Sequence, residues 1–192
     1  MRRALVALAA GQSGYFTAAQ ALGLGYGYPA QKFHVDHGNW MKVDRGLFRL
    51  PGWPVAEHDS LVRWALWARG KAVVSHESAL VVHELGDVNP ALVHLTVPPN
   101  FRPRAPGVRL HHAAVPPDDI VERAGFRVTT LLRTLLDVAA GNLDLDLLAT
   151  AIGDAMEVGL VTRSQILGRV DAQGEHAALR IERALQVVAA ST

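Results

Sequence analysis

The chain contains no cysteine, which excludes disulfides and thiolate chemistry and fits a cytoplasmic protein. No apolar run approaches the ~20 residues needed to cross a bilayer, so no membrane partner is expected. The opening MRRALVALAAGQSG has the basic end and apolar centre of a signal peptide, but its apolar stretch runs only from Ala4 to Ala10, and a first amphipathic helix accounts for it better. There is no P-loop, no GxSxG and no Rossmann glycine pattern, nor any aspartate followed by Glu-x-Lys. The histidines lack metal spacing: His76-Glu77 and His83-Glu84 lie seven residues apart, and His111-His112 on a strand would point to opposite faces. The nine histidines therefore read as scattered structural or surface residues. No catalytic residue, metal or cofactor is expected.

Acids are also scarce in one region. Residues 1–55 carry six cations (Arg2, Arg3, Lys32, Lys42, Arg45, Arg49) against two acids (Asp36, Asp44), a net of +4, whereas residues 56–140 are balanced at nine and nine and residues 141–192 carry four against seven. The overall charge of +1 thus conceals a positive first quarter, the distribution that suits contact with a polyanion.

That quarter is organised around KFHVDHGNWMKVDRGLFRL, Lys32 to Leu50. Before it, Arg2 to Ala10 reads as a helix with Leu5, Leu8 and Ala9 on one stripe. Thr17 suits the N-cap of a short helix over Ala18 to Leu22, because its hydroxyl can accept from the free amides of Ala19 or Gln20. Pro29 suits the first turn of a third helix. Phe33 and His37, four apart, are expected to face inward with Ala30, which turns Gln31 and Lys32 outward. Gly38 ends that helix. Trp40 to Val43 and Leu47 to Leu50 are β-prone runs joined by Asp44-Arg45-Gly46, a hairpin turn in which glycine supplies the positive φ. A helix leading into a hairpin with a basic tip is the outline of a winged helix. Gln31 would then read adenine and Lys32 guanine or phosphate, while Lys42, Arg45 and Arg49 meet phosphate and Tyr26 and Tyr28 contact the backbone. With Thr17 these make the expected DNA-contacting set. The same features also describe an ordinary solvated helix.

The run FHVxxGxWxKVxRGLFRL resembles the N-terminal domain of the AbiEi-type antitoxins, the autoregulating half of type IV toxin/antitoxin pairs. SHESALVVHELGDVNPALVHLTVP, from Ser75 to Pro98, resembles the next domain of that family, and TTLLRTLLDVA, from Thr129 to Ala139, its helical continuation. The blocks touch most of residues 12 to 140 and keep their order. What the resemblance implies is a repressor of its own promoter, binding repeats in double-stranded DNA, and a counterweight to a nucleotidyltransferase-like toxin with which it forms no stable complex. Some longer relatives append a nuclease-like domain, which is not expected here. The alternatives from other classes are a protein-interaction adaptor, an orphan regulator without antitoxin activity, or a small hydrolase.

Two domains are expected in an α+β fold: a winged helix-turn-helix over 1–54, ended by the stiff Pro51-Gly52-Trp53-Pro54 connector, and a mixed domain over 55–192. In the latter, His58 to Arg69 reads as a helix with Leu61, Trp64, Ala65 and Ala68 on one stripe. Strands at Ala72 to Val74, Leu92 to Val97, Val108 to His112 and Phe126 to Val128 are expected to form a small sheet, with Ser75 capping a helix to Glu84. Asp118-Asp119 are expected at a helix N-terminus. The chain is expected to be helical from about residue 129, with Arg133 and Asp137 paired on a helix surface.

Overall fold

Leu5, Leu8 and Ala9 recur at helical spacing, and helix α1 (Arg2–Ala10) buries Leu5 and Ala9 on that stripe. The computed structural model describes residues 1–190, apart from the side chain of residue 171. It is a mixed α+β fold with two sheets. After α1 come strand β1 (Tyr15–Thr17), helix α2 (Ala18–Gly23), helix α3 (Tyr28–Asp36), strands β2 (Met41–Asp44) and β3 (Leu47–Arg49), and helix α4 (Asp59–Trp67). The expected hairpin forms: β2 and β3 pair antiparallel with an irregularity between Lys42 and Asp44, and Gly46 has a φ of +71°. Strand β1 was not anticipated. It pairs with β3 so that Phe16 lies opposite Phe48, giving the order β1-β3-β2.

Trp40 is the hub of this first core. Its ring lies edge-on to Phe16 at 4.8 Å and Tyr26 at 5.1 Å, and stacks on His34 at 4.8 Å. Aromatic pairs of this kind add about 0.5–1.5 kcal/mol each beyond their burial. Because the Trp40 amide also donates to His34 O at 3.1 Å, the base of the hairpin is tied to the last turn of α3. The turn is held too, since Ala18 N donates to Gly46 O at 2.8 Å.

The second sheet has the order β6-β5-β4-β8-β7, built from β4 (Val73–Val74), β5 (Val93–Val97), β6 (Val108–His112), β7 (Ile120–Arg123) and β8 (Phe126–Thr129). The four expected strands are present within two residues of their expected limits. Strand β7 is an addition: Asp118 and Asp119 lie in a 3-10 turn that leads into this strand, not at a helix N-terminus. Helix α5 (His76–Val82) follows β4. Helices α6 (Leu131–Ala140), α7 (Leu145–Glu157), α8 (Arg163–Val170) and α9 (Glu175–Ala190) follow β8, so the chain turns helical where expected. Leu80, Leu135, Leu136, Leu148, Ile152 and Ile181 are fully buried together, each contributing about 1.5–3 kcal/mol relative to exposure.

The chain divides into two units, Met1–Lys71 with Glu122–Phe126, and Ala72–Val121 with the chain from Arg127 onward. The first includes α4, which lies beyond the residue-54 limit read from the proline connector. Trp53 of that connector packs so closely over Gly14 that a Cβ there would collide with the indole.

Candidate nucleic-acid interface

Helix α3 is rotated from the expected setting. Gln31 faces the core, 4% exposed, where Nε2 donates to Tyr26 O at 2.8 Å and to Ala18 O at 3.0 Å. Ala30 and Val35 pack beside it against the first core. Phe33, expected inside, is 52% exposed, and its ring stacks on His37 with centroids 3.9 Å apart. The physical reason is that Trp40, Phe16, Tyr26 and Phe48 already fill the core, while two carbonyls, Ala18 O at the start of α2 and Tyr26 O in the turn before α3, lie within reach of one amide. A buried amide that satisfies both is favoured there over a further aromatic ring. Gln31 is therefore withdrawn from base reading, and the outer face of α3 presents Tyr28, Lys32, Phe33, Asp36 and His37.

Three more residues of the expected set are committed elsewhere. Tyr26 is buried at the core. Thr17 caps α2 as expected, with Gln20 as its partner: its hydroxyl accepts from Gln20 N at 3.1 Å while Gln20 Oε1 accepts from Thr17 N at 2.8 Å, a reciprocal capping box that fixes the side chain at the start of the helix. Arg49 is not free to meet phosphate. Its guanidinium lies 2.8 Å from Asp59, donates to Ser13 O and Pro54 O and covers the Tyr15 ring at 4.8 Å. Asp59 is buried on α4 and needs a cation, which the last residue of β3 supplies. Tyr15 also donates to Asp59 at 3.2 Å, and burial together with that carboxylate pushes the Tyr15 phenol up.

Tyr28, Lys32, Lys42 and Arg45 remain. Tyr28 is 69% exposed, and Lys42 and Arg45 are exposed on the hairpin. Lys32 pairs with Asp36 at 2.5 Å on the open surface, where such pairs are worth a few tenths of a kcal/mol and a phosphate can replace the carboxylate. Asp44, the acid nearest Arg45, accepts from the Arg45 amide at 2.6 Å and so orders the turn. A helix face with three exposed rings and one cation, which Asp36 partners, followed directly by a hairpin with two cations, can bind a phosphate backbone and pack against base edges. Phe33 and His37 were missed because their spacing matches an inward stripe.

The second unit gathers residues that look dispersed in the chain. His76 and His111 stack with centroids 3.4 Å apart, His111 Nε2 lies 3.3 Å from His94 Nδ1, and His94 Nδ1 lies 2.5 Å from Glu77. These three histidines are therefore not scattered: α5, β5 and β6 bring them together, with His112 exposed on the opposite face of its strand. Burial and the adjacent imidazoles push His76 down to about 3 and His111 down to about 4. Burial opposes ionisation of Glu77, but the His94 bond, a backbone hydrogen bond and the neighbouring imidazoles together outweigh it and hold the carboxyl low. His76 also has a φ of +51°, and its Nδ1 lies 2.9 Å from Ser75 Oγ. Among the described residues no group of histidines and acids is arranged to hold a metal ion.

Arg133 and Asp137 pair at 2.7 Å, yet not on a helix surface: their side chains are 11% and 6% exposed. Asp119 joins them, 3.3 Å from Arg133 and 2.9 Å from Arg169, which links the turn before β7 to α6 and α8. Burial raises Asp119, but the two arginines outweigh it and hold its carboxyl low. Burial raises Asp137 against the pull of Arg133.

No family model matches the chain, and no curated protein matches it in sequence. Its fold is similar to that of the Rv2827c protein from Mycobacterium tuberculosis, known from a crystal structure, with a TM-score of 0.65 and 15% identity over 97% of this chain and 76% of that one.

Proposed function

We propose that this protein is a DNA-binding transcriptional autorepressor whose first unit works as a winged helix, and that it serves as the antitoxin opposing a nucleotidyltransferase-like toxin. The observation that carries the DNA reading is the setting of α3. Its inner face is anchored by Gln31, its outer face carries Tyr28, Lys32 and Phe33, and it runs through Trp40 into a hairpin with Lys42 and Arg45 exposed. In this reading α3 enters the major groove and the hairpin follows the flanking phosphates. The antitoxin half rests on the resemblance of the blocks at Ser75 to Pro98 and Thr129 to Ala139.

The test is a mobility-shift titration of the upstream duplex at several salt concentrations. Specific binding that weakens steeply with salt is expected, and Lys42→Ala and Arg45→Ala should each lower the log–log salt slope by about 1. A slope unchanged in both variants would refute the assignment of the hairpin. Co-expression with the product of a neighbouring toxin gene tests the second half: growth rescue is expected, and a repressor that binds its operator without rescue is an orphan regulator.

A further inference from the structure

We propose that the outer edge of β6 is a docking site for an extended acidic segment of a partner protein, which joins the sheet as a further strand. This surface lies in the second unit and uses none of the residues assigned above to DNA.

Strand β6 ends the sheet, paired in parallel with β5 alone. Val93 N donates to Gly107 O at 3.1 Å and Ala113 N donates to Val97 O at 3.0 Å. Since backbone groups alternate along a strand, Gly107, Arg109, His111 and Ala113 turn theirs towards β5. The amides and carbonyls of Val108, Leu110 and His112 point the other way, to the open edge. These three residues line a groove of about 360 Å³ whose other wall is the loop carrying Phe101, Arg102 and Arg104. The groove thus runs along the unpaired edge of β6, with Phe101, Val108 and Leu110 supplying apolar surface in a lining that is polar as well, and with Arg102 and Arg104 as its cations.

Charge complementarity selects the occupant. Residues 88–117 contain Arg102, Arg104 and Arg109 and no acid. Arg102 and Arg104 line the groove and are exposed, whereas Arg109 lies on the other face of β6; among the described residues none of the three forms an ion pair. A phosphate backbone would use the cations but would leave the edge amides, carbonyls and apolar wall unanswered. An extended peptide uses all of them, with main-chain bonds for affinity and alternate side chains for selectivity. Prolines 98, 99, 103 and 106 remove amide donors from the loop, so it cannot itself pair fully with β6.

Fluorescence anisotropy with the full chain tests this, using a labelled peptide of about eight residues that alternates glutamate and valine. The same peptide with lysine for glutamate should bind at least about tenfold more weakly, and so should a fully N-methylated version with the same side chains. Arg102→Glu combined with Arg104→Glu should weaken the acidic peptide by a similar factor while leaving Tm unchanged. Binding that ignores N-methylation would reduce the site to a charge contact and overturn the proposal. An oligodeoxythymidine that binds more tightly than the peptide through these same two arginines would make the surface a nucleic-acid contact and overturn it as well. No binding by any peptide would overturn the proposal too and leave the arginines and prolines as guards of an edge. Operator binding measured alongside separates this outcome from failure of the DNA reading, which rests on residues of the other unit.

Discussion

Gln31 shows how one side chain sets the phase of a helix. Its amide donates to Ala18 O at the start of α2 and to Tyr26 O in the α2–α3 turn, so Gln31→Ala should remove both bonds and cost about 1–3 kcal/mol. Urea unfolding checks this: a midpoint equal to that of the parent would show that water replaces the amide. Base discrimination should not change, because a smaller folded fraction weakens operator and random duplex alike. Asp119 is the corresponding residue of the second unit. It is 2% exposed and shared by two arginines, and Asp119→Ala should destabilise by about 3 kcal/mol because it strands buried positive charge. Retention of the parent Tm would mean that Asp137 alone neutralises Arg133. Gly14 has a φ of +82° with Trp53 pressed against it, so a side chain there requires both an unfavourable backbone and the displacement of the indole.

At the scale of elements, α3 and the hairpin behave as one piece because Trp40 stacks on His34 and bonds its carbonyl. The outer face of α3 is left to Tyr28, Lys32 and Phe33, none of which the core requires. Tyr28→Ala with Phe33→Ala should therefore reduce the preference for operator over random duplex by about 1–3 kcal/mol with little change in Tm. An unchanged affinity ratio would move base reading off this helix. The limits of α1, the Thr17 cap, the hairpin and the four helices from residue 129 were legible in the sequence, because apolar spacing, caps and glycine turns are local signals. The rotation of α3 was not. Phe33 and His37 have inward spacing, and what turned them out was competition for a core already filled by rings from β1, β3 and the residue after the α3–β2 turn. Strand β1 was illegible for a related reason: three residues carry too little periodicity, and pairing with β3 defines them.

For the whole molecule, the histidine cluster sets an expected dependence on acid. His76 and His111 are held near 3 and 4, below their ordinary value of about 6.5. As pH falls below that value the unfolded chain takes up protons first, so their contribution to stability is complete above about pH 6.5 and shrinks towards pH 4 and below. The charged and titratable groups that act on them are Glu77 on α5, His94 on β5, Arg109 and, from the opposite face of the strand, His112 on β6, and Arg133 on α6, and the depressed Glu77 has the same sign. The urea midpoint should fall between about pH 7 and pH 5. His111→Gln should flatten that slope, which isolates the histidines from Asp119, whose shift has the same sign, and from Asp137, whose shift opposes it. An equal slope in parent and variant would assign the acid response elsewhere. The order of the helices and of every strand but β1 and β7, the positive first quarter and the absence of thiol chemistry were determined by the sequence alone, since each follows from composition or from contacts a few residues long. The inward turn of Gln31, the capture of Arg49 by Asp59, the gathering of His76, His94 and His111 and the Arg133–Asp119–Arg169 link were decided only by the tertiary structure. Each joins groups that local spacing does not relate, and each exists because a buried polar atom takes whichever partner packing brings within reach.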